Sequence, residues 1–242
     1  MNTFSVTGSG RRQSRLVEIM RSFSESHGGS GFGFKPSTGT SKRVTALVAS
    51  FPEADLDAII AAADAGADAI EVRASGSKDL QLMLKASERL KVPYGVVLLA
   101  DADERVAASA IEAGVDWVRL PIAGHISTME WEKPARVLTV PFGLDLQVAH
   151  GLNGLAVDAV LIDQAEGERS EFTYADALRL RALSEVLKKP LLLHAGPGVP
   201  PSAAAACEYL GADALLVYLD GLRSIDTLNE YLRALEARAD RR

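Results

Sequence analysis

An α/β fold, a single (β/α)8 TIM barrel preceded by an N-terminal helical arm, is what three observations in the sequence predict. Eight short apolar runs alternate with helical stretches over residues 43–242. The runs are continuously apolar, as in parallel strands covered by helices, and do not alternate as half-exposed strands do. One phrase also recurs four times where a helix ends and a strand begins: "AGADAIEV" at 65–72, "AGVDWVRL" at 113–120, "LAVDAVLI" at 155–162 and "LGADALLV" at 210–217. Its aspartates, Asp68, Asp116, Asp158 and Asp213, lie 48, 42 and 55 residues apart, so each interval has room for one further strand and helix. A doubly wound open sheet would also explain the alternation, but not the even repeat.

The arm, residues 1–42, is expected to hold one helix over Arg11 to Ser24. Leu16, Met20 and Phe23 fall at i, i+4 and i+7 there and form an apolar stripe that must be buried against something. The segment that follows, "SHGGSGFGFKPSTGTSK", lacks both the preceding strand and the spacing of a dinucleotide fingerprint. It reads as a flexible linker, or as a lid carrying Phe32 and Phe34.

The remaining four strands are read at 44–50 ("VTALVAS"), 94–100 ("YGVVLLA"), 137–140 ("VLTV") and 191–194 ("LLLH"). Helices are expected at about 53–65, 77–90, 103–113, 174–187, 201–210 and 226–239, with shorter and less regular ones at 125–133 and 146–155.

Composition bounds the function. No apolar run approaches the roughly 18 residues of a membrane span. The "QSRLVEIMRS" that follows Arg11-Arg12 is too polar for the core of a secretion signal, so a cytoplasmic protein is expected. The single cysteine, Cys207, cannot form an internal disulfide and falls among alanines, where packing is its expected role. Residues 1–43 hold seven Lys/Arg against two acids, a net +5, and since the whole chain carries −6 the remainder carries −11. An acidic body and an arm poor in aromatics argue against nucleic acid. The arm is expected to dock on its own body or on a neighbouring subunit, in a homo-oligomer.

A barrel of this kind works at the carboxyl ends of its strands, so the last inward-facing residue of each strand is a candidate. In "AIEVRAS" the apolar Ile70 and Val72 must meet helices, which turns Glu71 and Arg73 inward. The same alternation selects Ser50, Asp101, Arg119, Asp163, His194, Tyr218 and Asp220, and less securely Asp145. An inward carboxylate is costly to bury unless paired or used, and Glu71–Arg73–Arg119–Asp101 could equally be an ion network that closes the core. His194 stands first among the candidates. It ends strand seven, its imidazole exchanges protons near neutral pH, and Gly196 and Gly198 follow it. His125 and His150 fall in rim units, and His27 in the arm. No lysine ends a strand, which argues against a Schiff base. No HxH, HExxH or CxxC pattern supports zinc, although a hard divalent ion held by Glu71, Asp101 and Asp163 stays open.

The "GADA" phrases, and the turn "HAGPGVPP" (194–201) followed by a helix and "GADALLV", make residues 43–242 resemble the phosphate-binding (β/α)8 barrels, the superfamily of ribulose-phosphate-binding enzymes and tryptophan-pathway synthases. The resemblance implies that backbone amides after strand seven, near Gly196 and Gly198, and after strand eight hold a phosphate, helped by the start of a short helix. That second turn departs from the pattern. It reads "VYLDGLRS", where Tyr218 is bulky and Asp220 is negative, with Arg223 placed slightly late to compensate. More locally, "GADAIEVRAS" is similar to the strand-two signature of type I dehydroquinate dehydratases, which implies that Glu71 and Arg73 contact substrate. The strand-end lysine of that family has no counterpart here.

The expected function is a lyase or isomerase that moves protons on a small anionic or polyhydroxylated metabolite, phosphorylated or not. His194 and one of Glu71 or Asp163 would be acid and base. Arg73, Arg119, Asp101, Gly196, Gly198 and Asp220 would hold the substrate. Two alternatives stay open: a barrel that has lost catalysis and serves in binding or assembly, and a flavin-dependent oxidoreductase whose cofactor phosphate uses the strand-seven turn.

Overall fold

The computed structural model describes residues 14–28, 43, 45–98, 104–130, 134–163, 171–195, 199–207 and 209–239. Eight parallel strands close into a barrel in chain order: β1 (Ala46–Phe51), β2 (Ala69–Arg73), β3 (Tyr94–Val97), β4 (Trp117–Pro121), β5 (Ala135–Pro141), β6 (Ala159–Asp163), β7 (Leu191–Ala195) and β8 (Ala214–Tyr218), with β8 pairing back onto β1. The helices are α1 (Arg15–Gly28), α2 (Leu56–Ala65), α3 (Ser77–Ser87), α4 (Glu104–Glu112), α5 (Leu146–Gly151), α6 (Tyr174–Val186), α7 (Pro201–Cys207) and α8 (Ile225–Ala239). All eight expected strands are present. The helix expected at 125–133 is a single 3-10 turn, Ile126–Glu130.

Alternation along the strands divides the core into two shells. Leu47, Ala49, Ile70, Val72, Val160, Ile162, Leu193 and Leu215 point outward and pack under the helices. Inside the barrel lie Ala46, Val48, Ala69, Trp117, Val137, Ala159, Leu161, Leu192, Ala214 and Leu216. The lowest inner layer is rich in alanine, because the space there belongs to α1. Leu16 and Met20 are wholly buried against these residues, with Ile19 and Phe23 packed beside them. The apolar stripe of α1 thus packs against the amino end of the barrel.

The four repeated aspartates explain both the repeat and its exception. Asp68 accepts the amide of Leu47 at 2.7 Å, Asp158 that of Arg136 at 2.8 Å and Asp213 that of Leu191 at 2.7 Å. Each carboxylate therefore ties the start of an even strand to the preceding odd strand. Asp116 is used differently: it accepts the Ser14 hydroxyl at 2.6 Å and the amides of Arg15 at 2.9 Å and Leu16 at 2.8 Å. It caps α1 from outside and places a negative charge at the positive end of the helix. Asp116→Asn is expected to cost about 1–2 kcal/mol, the usual size of a lost cap, seen as faster amide exchange in α1 with little change in α8.

Cys207 is fully buried in the outer shell, and burial pushes its thiol up to about 12. Since the thiolate is the reactive form, Cys207 is expected to resist a thiol reagent at pH 8 until denaturant releases it, when one equivalent should react. Among the described residues no helix is long and apolar enough to cross a membrane.

Candidate active site

Among the described residues six strands contribute polar side chains to the carboxyl end of the barrel, and these join in two limbs. The first limb centres on Glu71, which is 1% exposed. Its Oε1 accepts the Ser50 hydroxyl at 2.9 Å and Arg119 Nε at 3.0 Å, and its Oε2 accepts Arg119 Nε at 3.1 Å and the indole N–H of Trp117 at 3.4 Å. Arg119 Nη2 lies 3.0 Å from Glu71 Oε1 and donates to the Tyr218 hydroxyl at 3.0 Å. Strand register dictates the grouping: Ser50 is the lateral partner of Glu71 on one side and of Tyr218 on the other. Burial opposes the charge on Arg119, but the Glu71 carboxylate and the Tyr218 oxygen outweigh it, so the guanidinium pKa lies above its ordinary value. Both Glu71 oxygens are taken. On Arg119, Nε and Nη2 are taken, and Nη1 has no hydrogen bond among the described residues.

The second limb is His194 with Asp163. His194 Nδ1 stands 2.9 Å from Asp163 Oδ1. An ionised carboxylate can only accept, so Nδ1 carries the proton and the lone pair of the neutral ring sits on Nε2. That Nε2 is buried and has no hydrogen-bond partner among the described residues. The imidazole meets the Tyr218 ring edge to face, with centroids 4.7 Å apart, and this contact joins the two limbs.

Of the residues selected from the sequence, Glu71, Arg119, Asp163 and His194 therefore converge. Tyr218, selected only as a strand end, touches both Arg119 and His194, and Ser50, likewise selected, donates to Glu71. Arg73 does not join: it is exposed at the end of β2, and the cation of Glu71 is Arg119. Asp220 is exposed beyond β8, where its amide donates to the Ser224 hydroxyl at 2.9 Å. Asp145 caps α5, accepting the amides of Gln147 and Val148. His125 and His150 are exposed, the latter in the last turn of α5, and His27 belongs to α1. Asp101, Gly196 and Gly198 lie outside the described residues. Glu71 faces Arg119 and Asp163 faces His194, and no cluster of three acidic, histidine or cysteine ligands occurs among the described residues. Nothing in the sequence marks Trp117 as a site residue, since it opens β4 and reaches Glu71 only across an intervening strand.

No protein-family model and no curated protein matches the chain. Solved structures do match. Tryptophan synthase from Mycobacterium tuberculosis is 16% identical, with a TM-score of 0.68 over 93% of this chain and 99% of that one. A tryptophan synthase alpha-subunit from Pyrococcus furiosus is 13% identical, with a TM-score of 0.65 over 79% and 98%. Phosphoribosyl anthranilate isomerase from Thermus thermophilus is 19% identical, with a TM-score of 0.62 over 79% and 98%. At these identities the likeness establishes the fold: the chain is a (β/α)8 barrel like the tryptophan synthase alpha-subunit and phosphoribosyl anthranilate isomerase structures.

Proposed function

We propose that the chain is an enzyme, a lyase or isomerase, that transfers protons on a small anionic or hydroxylated metabolite bound at the carboxyl end of the barrel. The observation that carries this reading is the buried Nε2 of His194, unpartnered among the described residues and set opposite an Nδ1 held by Asp163. A buried polar atom left without a partner costs about 1–3 kcal/mol, and a substrate proton at Nε2 would relieve that cost. In the proposed mechanism His194 Nε2 takes a proton from the substrate and returns it at the next step. Asp163 fixes the tautomer and balances the imidazolium that forms.

Arg119 and Tyr218 fit the role of holding the oxygen on which negative charge develops. The Tyr218 hydroxyl accepts from Arg119 and keeps its own proton to donate, and Arg119 Nη1 has no hydrogen bond among the described residues. Glu71, with both oxygens engaged, serves to fix Arg119, and the carboxylate that assists acid–base work is Asp163. The fold is shared with proteins named as an isomerase and a synthase of anthranilate and tryptophan chemistry, which supports a reaction of this class and a substrate bearing a carboxylate or a phosphate.

The product need not be identified for the test. A pool of small carboxylated, hydroxylated and phosphorylated metabolites is incubated with the protein in deuterium oxide and read by mass spectrometry. At least one member is expected to gain deuterium with the wild type and not with His194→Gln. No incorporation by the wild type in any member would overturn the assignment.

A further inference from the structure

We propose that Trp117 is a positioning residue for Glu71, and that through it the docking of α1 on the floor of the barrel sets the Glu71–Arg119 pair at the mouth. The inference rests on the reading of that pair as the substrate-holding limb. Glu71, Gly95 and Trp117 are successive lateral partners across β2, β3 and β4, and so lie in one row across the inner face. Gly95 leaves its place in that row empty. A Cβ built there would overlap Cε2 and Cδ2 of the Trp117 ring and stand 2.5 Å from its Nε1. The indole therefore lies over the glycine, and this is what lets its N–H cross from β4 to Glu71 Oε2. With any larger residue at 95 the ring could not occupy that space.

The same side chain belongs to the buried cluster of the floor. Trp117 is 1% exposed and packs in one cluster with Leu16 and Met20 of α1. Its chain neighbour Asp116 holds the first turn of α1 by three hydrogen bonds, where the other three repeated aspartates hold strands. A shift of α1 therefore acts on residues 116 and 117 together, and the indole N–H carries that shift to Glu71. Because Oε1 and Oε2 share Arg119 between them, turning the carboxylate turns the guanidinium.

Two N–H signals of the full-length protein report on this without a ligand. They are the Trp117 indole N–H, separated from that of Trp131 in a Trp131→Phe background, and the Arg119 Nε–H, identified by its loss in Arg119→Lys. Trp117→Phe keeps an aromatic ring in the row and removes the donor. It is expected to speed solvent exchange of Arg119 Nε–H about tenfold, equivalent to about 1.4 kcal/mol of local protection. Asp116→Asn touches neither Glu71 nor Arg119, yet is expected to move both signals, and it serves equally if Trp117→Phe fails to fold. Arg181→Ala, on the exposed face of α6, is expected to move neither. Unchanged Arg119 exchange in Trp117→Phe would mean that the indole only fills space, and Asp116→Asn that frees α1 without moving either signal would break the link to the floor. Either result overturns the proposal. The acid–base reading is decided separately on the His194 limb, so failure of one is distinguishable from failure of the other.

Discussion

Replacing His194 by Gln is expected to lower deuterium transfer to the substrate by about 10²–10⁴-fold, the usual contribution of a positioned general acid–base, while the barrel stays folded. Gln approximates the volume, but its amide stands nearer the place of Nε2 than that of Nδ1, so the stability lost is about that of the hydrogen bond to Asp163 and one aromatic contact, roughly 1–2 kcal/mol. Asp163→Asn should be a milder lesion of the same function. The ring remains, but an amide no longer fixes Nδ1 as the protonated nitrogen, so the productive tautomer becomes a minority form. Turnover that survives both substitutions would remove the Asp163–His194 pair from the chemistry.

The second large effect is on stability. Glu71→Ala leaves the Arg119 guanidinium, whose side chain is 6% exposed, without its counter-charge. Breaking a buried pair by removing one partner costs about 3–5 kcal/mol, more than any single exposed ion pair in the chain could. Arg181–Glu185, exposed on α6, is the contrasting case, and its removal should be nearly silent. The double replacement Glu71→Leu with Arg119→Met should recover much of the loss, because it removes both charges instead of stranding one. Urea unfolding followed by far-UV circular dichroism measures all three. A Glu71→Ala midpoint equal to wild type would show that Arg119 is satisfied by solvent and that the pair is no anchor.

The fold is legible in the sequence because its signals are local. Continuous apolar runs, the helix-to-strand phrase and the period of two βα units each survive in one sequence, and all eight strands lie where these signals place them. The four convergent side chains are legible for a related reason: alternation within a strand says which residues face inward. It does not say how far along the strand the barrel still encloses them. Arg73 shares the parity of Glu71 but stands two residues further on, at the rim, where it is exposed. Asp145 shows another limit, since an acidic residue just past a strand is as useful to a helix start as to a mouth.

What one sequence does not express is contact across strands. Gly95 and Trp117 look like an ordinary strand glycine and an ordinary core tryptophan until register lays one over the other. Asp116 is spelled like Asp68, Asp158 and Asp213, and only the position of α1 gives it a different partner. Tyr218 is visible as a strand end, but its place between Arg119 and His194 depends on the closure of β8 onto β1.

The proposed chemistry turns on which nitrogen of His194 carries the proton. The chain has four histidines, so long-range nitrogen–proton correlation spectra of the imidazoles can be assigned by single substitutions. Near neutral pH one ring, absent from His194→Gln, is expected to show a protonated Nδ1 and an unprotonated, basic Nε2, and to shift toward the Nε2–H form in Asp163→Asn. A His194 ring that already carries its proton on Nε2, or that averages freely between the two forms, would contradict that chemistry.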